Sequence, residues 1–234
     1  MLARILISGL IGGIAGGLVV AAIQAVTTTP LILQAETFET ARALDAVSLI
    51  PVHDQAKPAA EGLNVSRLVT SSIATIAVAT GYTFLLLGGM LAAGRSITAR
   101  TVFPWAMAGF AATGLAPALG MAPELPGAAS ADVGARQLWW IGTALATGAG
   151  LAAMAFGRGA LWVVAGICLG VLPHLIGAPA PPAPSSKVPA EMAAQFAAAS
   201  ITIQALVWLI PAAIAGVAIS RMQGIGTTAG EPSA

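Results

Sequence analysis

Charge is what this sequence has least of. Of its 234 residues, 10 are basic and 9 acidic, 8% in all, where a soluble domain carries about a quarter. So few charges cannot clothe a water-facing surface for a chain this long. The single cysteine, Cys168, excludes an intramolecular disulfide and any cysteine-only metal cluster. Two histidines, His53 and His174, are too few for a histidine cage within one protomer. There is no Walker-type phosphate loop, His-Glu-x-x-His pair, Gly-x-Ser-x-Gly elbow or Cys-x-x-Cys pair, which argues against ATP-driven work by this chain alone and against an enzyme. A net charge of +1 without a Lys/Arg cluster gives no footprint for nucleic acid. No fixed-period repeat or pair of inverted halves is visible, so a conventional carrier is disfavoured.

What is present in abundance is apolar sequence, 57% of the chain. Crossing a hydrocarbon core takes about 20 apolar residues, wound as helices because lipid offers no partner for a backbone N–H or C=O. Runs of that kind extend over Ala3–Val26, Leu68–Ala93, Val102–Gly120, Leu138–Phe156 and Phe196–Ile219. A sixth, Ala160–Ile176, sits near the lower length limit and carries Pro173 and His174 at its end. The fold class is therefore all-α, a polytopic integral membrane bundle of about six transmembrane helices, with five as the alternative. The first run is too long for a signal peptide and closes without a clear cleavage site, so it reads as a retained helix. Its glycines, Gly9, Gly12, Gly13, Gly16 and Gly17, repeat at Gly-x-x-x-Gly spacing, which lets another helix approach closely.

The chain reads as one membrane domain, 1–234. Residues 27–66 form a long outer loop with a short interfacial helix between Pro30 and Pro51. The proline-rich Gly177–Pro189 segment reads as an extended linker, and 222–234 as a flexible tail. With six spans both termini share a side, together with Arg4, Arg95, Arg100, Arg158 and Arg221 in short connections or tails. That side is expected to be cytoplasmic. Glu36, Glu39, Asp45, Asp54, Glu61, Glu124, Asp132 and Glu191 fall on the opposite, outer side.

Candidate ion-handling residues are His174, His53, Asp54, Glu36, Glu124 and Asp132. Histidine with carboxylates suits a borderline divalent cation such as Co²⁺ or Ni²⁺. Pro173 removes a backbone donor next to His174, freeing carbonyl oxygen at membrane depth, although a headgroup-level histidine bonding backbone is as good a reading. His53 beside Asp54 also fits a plain solvated loop, as do Glu124 and Asp132 around Pro126–Gly127. Pro117 and Pro211 interrupt their spans as kinks. Trp139 and Trp140, after Arg136, suit anchoring at the headgroup boundary. Met121 is more filler than ligand.

Several segments resemble one known family: Met1-Leu2-Ala3-Arg4-Ile5-Leu6, Thr29-Pro30-Leu31-Ile32-Leu33-Gln34-Ala35-Glu36, and Gly114-Leu115-Ala116-Pro117-Ala118-Leu119-Gly120 continuing through Pro123-Glu124-Leu125-Pro126-Gly127. Arg136-Gln137-Leu138-Trp139-Trp140, Pro173-His174-Leu175-Ile176-Gly177-Ala178-Pro179 and Val188-Pro189-Ala190-Glu191-Met192-Ala193-Ala194-Gln195-Phe196 extend the likeness over nearly the whole chain. The sequence resembles the CbtA family of bacterial cobalt transporter subunits. The resemblance implies uptake of cobalt for cobalamin biosynthesis, five spans in the usual count, and a small one-span CbtB-like partner carrying metal-binding histidines. Many members are similar in a His-rich stretch of the first outer loop, where this chain keeps only His53. The expectation is a multi-pass protein of the bacterial inner membrane with cytoplasmic termini, in contact with the lipid bilayer and that partner. It admits a divalent metal and holds no permanent cofactor. A non-transporting scaffold or assembly factor is the alternative.

Overall fold

The computed structural model describes residues 2–47, 65–182, 186 and 188–228. His53 and Asp54 lie outside them. Every regular element among the described residues is helical: α1 (Leu2–Val26), α2 (Thr28–Val47), α3 (Val65–Ala92), α4 (Val102–Gly120), α5 (Val133–Phe156), α6 (Ala160–Ile176) and α7 (Ala190–Thr228). Five of these, α1, α3, α4, α5 and α7, are long and apolar enough to cross a membrane. Their outer surfaces are apolar too: Ile73, Leu85, Leu119 and Leu145 are each more than 60% exposed. Such a surface is at ease only against acyl chains.

The first helix holds the bundle together. In lipid no hydrophobic effect drives helices together, so association relies on close packing at small residues. One side of α1 presents Gly12 and Gly16 to α7, where an added Cβ would lie 2.5 Å from the Pro211 carbonyl oxygen and 2.7 Å from Pro211 Cα. The other side presents Gly9, Gly13 and Gly17 to Phe84, Thr80 and Ile76 of α3, an order that sets the two helices antiparallel. The proline of α7 thus fills the notch of α1, and the helix runs through it. Around this seam Leu87, Met90, Ala106, Phe110, Trp208 and Ala215 form the main core.

Helices α5 and α6 make an antiparallel hairpin. Gly150 and Gly166 face each other at mid-height, each so close that a Cβ would stand 2.5 Å from the other's carbonyl oxygen. Trp162 covers Gly157 at one end, and Trp139 meets Pro173 at the other. At 17 residues, α6 rises about 26 Å, enough to bring Pro173 back to the level of Trp139 but not to the start of the longer α5. It is bounded by Gly159 and Gly177 at φ 86° and 91°, a conformation that only glycine takes without strain.

Several boundaries differ from the sequence reading: α3, α5 and α7 begin at Val65, Val133 and Ala190, ahead of the apolar runs that start at Leu68, Leu138 and Phe196. The helix after Thr27 is not a short element starting at Pro30: it spans 20 residues, with Pro30 in its first turn where a missing N–H costs nothing. The last helix runs on through Thr228, past Arg221, so 222–228 continue it.

The two ends of the bundle differ in charge. Ile5, Ile97, Val102 and Ile219 share one cluster, so Arg4, Arg95, Arg100 and Arg221 gather at the same end. Arg158 joins them, because Arg95 lies over the Phe156 ring at 5.4 Å. Glu36, Glu124, Asp132 and Glu191 all lie at the other end.

A bulky residue in the α1 seam should disrupt it. Gly13→Leu must push Thr80 backbone aside, overpacking that costs roughly 1–3 kcal/mol, whereas Gly88 has open space around it. Thermal unfolding in detergent is expected to show a clear loss of stability for Gly13→Leu and none for Gly88→Leu.

Candidate functional site

At the carboxylate end the polar side chains are built into the scaffold. The Arg67 guanidinium grips both oxygens of Glu36, with Nη1 donating to Oε2 at 2.7 Å, and so ties α2 to the start of α3. That hydrogen bond, joined by the positive charge, holds the Glu36 carboxyl below its usual range. Arg136 Nη2 lies 3.0 Å from Glu124 Oε2, linking the 121–132 connection to α5. Asp132 is the N-cap of α5, its carboxylate accepting the Ala135 N–H at 2.9 Å. Glu191 lies in the first turn of α7, where a negative charge favours the helix dipole. Two of the candidate carboxylates therefore face arginines, and a third caps a helix.

His174 occupies the end of α6, partly buried. Its Nε2 is 3.0 Å from the Ala116 carbonyl oxygen of α4. A carbonyl can only accept, so Nε2 carries the proton in this bond and Nδ1 keeps a lone pair in the neutral ring. Trp139 stands edge-on to the imidazole at 5.8 Å between centroids and donates its Nε1–H to the Pro173 carbonyl at 3.3 Å. The same indole covers Gly120, where there is no room for a side chain. Trp139 is thus a clasp between α4, α5 and α6 and not a headgroup anchor, while Trp140 is exposed. Four of the six sequence candidates, His174, Glu36, Glu124 and Asp132, fall within the described residues, and there no three of His, Cys, Asp or Glu are grouped so as to hold a metal ion.

The polar residues that do converge lie deeper and are neutral. A cavity of about 360 Å³ toward the carboxylate end is lined by Gln24, Thr28, Thr75, Ser200 and Gln204 among apolar neighbours. Thr75 Oγ1 donates to Gln24 Oε1 at 2.7 Å. A second cavity, about 570 Å³, opens toward the arginine end between α3, α4, α5 and α7, with Arg95, Ser96 and Thr101 near its mouth and small residues such as Ala108, Gly109 and Gly148 deeper in. His174 lines neither of these cavities.

Between them is an aromatic waist. Tyr82 and Trp208 stack at 4.4 Å between centroids and 14° between planes. Trp208 Nε1 donates to Thr113 Oγ1 at 2.9 Å, Thr113 in turn donates to the Gly109 carbonyl at 2.9 Å, and the Tyr82 hydroxyl interacts with the same threonine. Thr113 belongs to a π-helical turn, Ala111–Leu115, in which the Ala116 N–H reaches back five residues to the Ala111 carbonyl. The cause is adjacent: Pro117 donates nothing and its ring crowds the preceding turn, which widens to accommodate it.

An all-helical bundle with an apolar exterior, carboxylates at one end and arginines at the other defines a polytopic membrane protein. The description "probable cobalt transporter subunit (CbtA)" matches residues 2–220, and the chain belongs to that family. No curated protein and no solved structure matches it.

The Glu36–Arg67 pair yields a pH test. A carboxyl with a lowered folded-state pKa stabilises above its unfolded value, 4.5, and loses that contribution as pH falls through the folded value. Hydrogen exchange in α2 is expected to quicken as pH is taken from 6 toward 3, after correction for intrinsic rates. Because the pair is solvent-screened the effect is small; Arg67→Gln should abolish it, and an unchanged pH profile in that variant counts against the pairing.

Proposed function

We propose that this chain is the membrane-embedded component of a cobalt uptake system, taking Co²⁺ from the carboxylate end and delivering it at the arginine end. The family match over residues 2–220 carries this reading. The charge asymmetry supports its direction. Arginines in short connections favour the cytoplasmic side, which puts both termini there, in a bacterial inner membrane, and turns the carboxylates outward. Field lines from Asp132 and Glu191 raise the local cation concentration at that face. Glu36 and Glu124 contribute less, since Arg67 and Arg136 offset their charge.

His174 is the nitrogen ligand in this reading. A metal-binding imidazole is commonly oriented by donating its other N–H to a backbone carbonyl, and the bond to Ala116 supplies that arrangement, leaving Nδ1 for the metal. The remaining ligands are water and groups outside the described residues, with His53 and Asp54 the sequence candidates. A small one-span CbtB-like subunit is the partner that completes capture. Such capture must be weak enough to release the ion onward. Nickel is the competing cargo, since imidazole serves both ions.

Radiocobalt accumulation in cells expressing the chain with its partner tests the reading. His174→Ala is expected to lower accumulation by roughly tenfold, the smaller end of what losing a metal-supporting group costs, at equal amounts of inserted protein. Uptake that is unchanged at equal expression removes His174 from the pathway. Uptake absent from the unaltered system removes cobalt.

A further inference from the structure

The two cavities have no lining residue in common, and the order of residues along three helices shows what lies between them. On α3, Val78 lines the cavity at the carboxylate end, Tyr82 follows one turn on, and Leu85 and Leu86 line the cavity at the arginine end. On α7, Gln204 and Val207 line the first and Trp208 the second. On the α4 side, Pro123 just past the helix lines the first and Gly109 and Ala112 the second, with Thr113 at the waist. The stacked Tyr82–Trp208 pair therefore falls between the two cavities, with Trp208 lining the one at the arginine end.

We propose that the cavity lined by Gln24, Thr28, Thr75, Ser200 and Gln204 is a binding vestibule for a hydrated divalent cation, closed from below by the Tyr82–Trp208 pair. The choice of Co²⁺ as that cation rests on the uptake reading; the existence of the site does not.

The donor set selects the hydrated state. No charged side chain lines the vestibule, so stripping a divalent ion of its water there would leave its charge uncompensated in a low-dielectric interior. An ion that keeps its inner shell instead presents water hydrogens, and amide and hydroxyl oxygens accept them. The room suffices: six waters take roughly 180 Å³ at ~30 Å³ each, half of the 360 Å³ present. The lining also needs a guest. Among the described residues neither the Ser200 hydroxyl nor the Gln204 amide donates to or accepts from another protein group, and polar groups at membrane depth are retained where they face water or cargo. Carrying the ion with its waters also explains how a chain with so few ligating side chains handles a metal.

The floor is tied to one turn of α4. Trp208 lies flat over Gly109, where no side chain fits beneath it, and is held by Thr113 from the π-helical turn. A change in winding at Ala111–Leu115 would withdraw that acceptor and free the indole. Beyond it, Arg95 at the far mouth makes the second cavity unfavourable for a resting cation, so that cavity does not store one.

Thiol labelling tests this in whole cells carrying the full system. Cys168→Ala removes the native thiol, and Ser200→Cys or Ala108→Cys supplies one in the first or second cavity. A membrane-impermeant maleimide added outside is expected to label Ser200→Cys and to spare Ala108→Cys. Added Co²⁺ should slow the Ser200→Cys reaction severalfold. Trp208→Ala should expose Ala108→Cys to the same reagent, while Trp208→Phe, which retains an aromatic floor, should not. A silent Ser200→Cys, or one indifferent to Co²⁺, overturns the vestibule; an Ala108→Cys that stays silent in Trp208→Ala while Ser200→Cys still labels in that background overturns the floor. Radiocobalt accumulation by the Cys168→Ala parent separates the two ideas. Accumulation without protection of Ser200→Cys removes only the vestibule, and protection without accumulation removes only the uptake reading.

Discussion

Close approach of helix backbones at glycine is the interaction on which this bundle depends. Acyl chains are as apolar as leucine, so burying leucine against leucine gains little in a membrane, and contact must come from packing that lipid cannot match. The glycines of α1 supply it on two sides at once, against Pro211 and Ala215 of α7 and against Thr80 and Ile76 of α3. Proline is well used in this setting. Pro211 cannot donate, and its ring is what the Gly12–Gly16 notch receives, so the residue that weakens its own helix strengthens the joint.

With that three-helix frame in place, the polar residues fall into two functional kinds. Those at the carboxylate end are tied to one another or to backbone: Arg67 with Glu36, Arg136 with Glu124, Asp132 with its own helix, His174 with Ala116. They hold α2 and the connections in position around the mouth of the bundle. Those deeper in the membrane are uncharged, and several have free hydrogen-bonding capacity. A protein that moves a charged species benefits from this division, because a strongly ligating group in mid-membrane would trap what it binds.

Much of the architecture was legible in the sequence because length and apolarity are local properties. The runs Val102–Gly120 and Ala160–Ile176 coincide with helices to the residue, and the glycine spacing of α1 correctly announced a packed face. The site was less legible. Gln24, Thr75, Ser200 and Gln204 are uncharged polar residues scattered along three apolar runs, where such residues read as tolerated; only the packing of α1, α3 and α7 brings them to one cavity. Trp139 looked like a rim anchor because the sequence shows its neighbours Arg136 and Trp140 but not Gly120, the residue it covers. Tyr82, the chain's one tyrosine, was a signal that could have been followed: a phenol in mid-span must find a polar partner. The carboxylates drew attention as ion attractors, yet their arginine partners lie 31 and 12 positions away, beyond any local pattern.

The partnership of α1 with α7 also bears on how the molecule is made. Ribosomes deliver α1 well before α7, so the groove of Gly12 and Gly16 waits in the bilayer, filled by lipid, until the helices between them have been synthesised. The α5–α6 hairpin, whose members are neighbours in the chain, can close on emergence without them. A premature stop before Pro211 would therefore cost the fold its keystone while leaving most of its spans inserted, and quality-control proteases of the membrane would meet an open ring of helices in place of a sealed one.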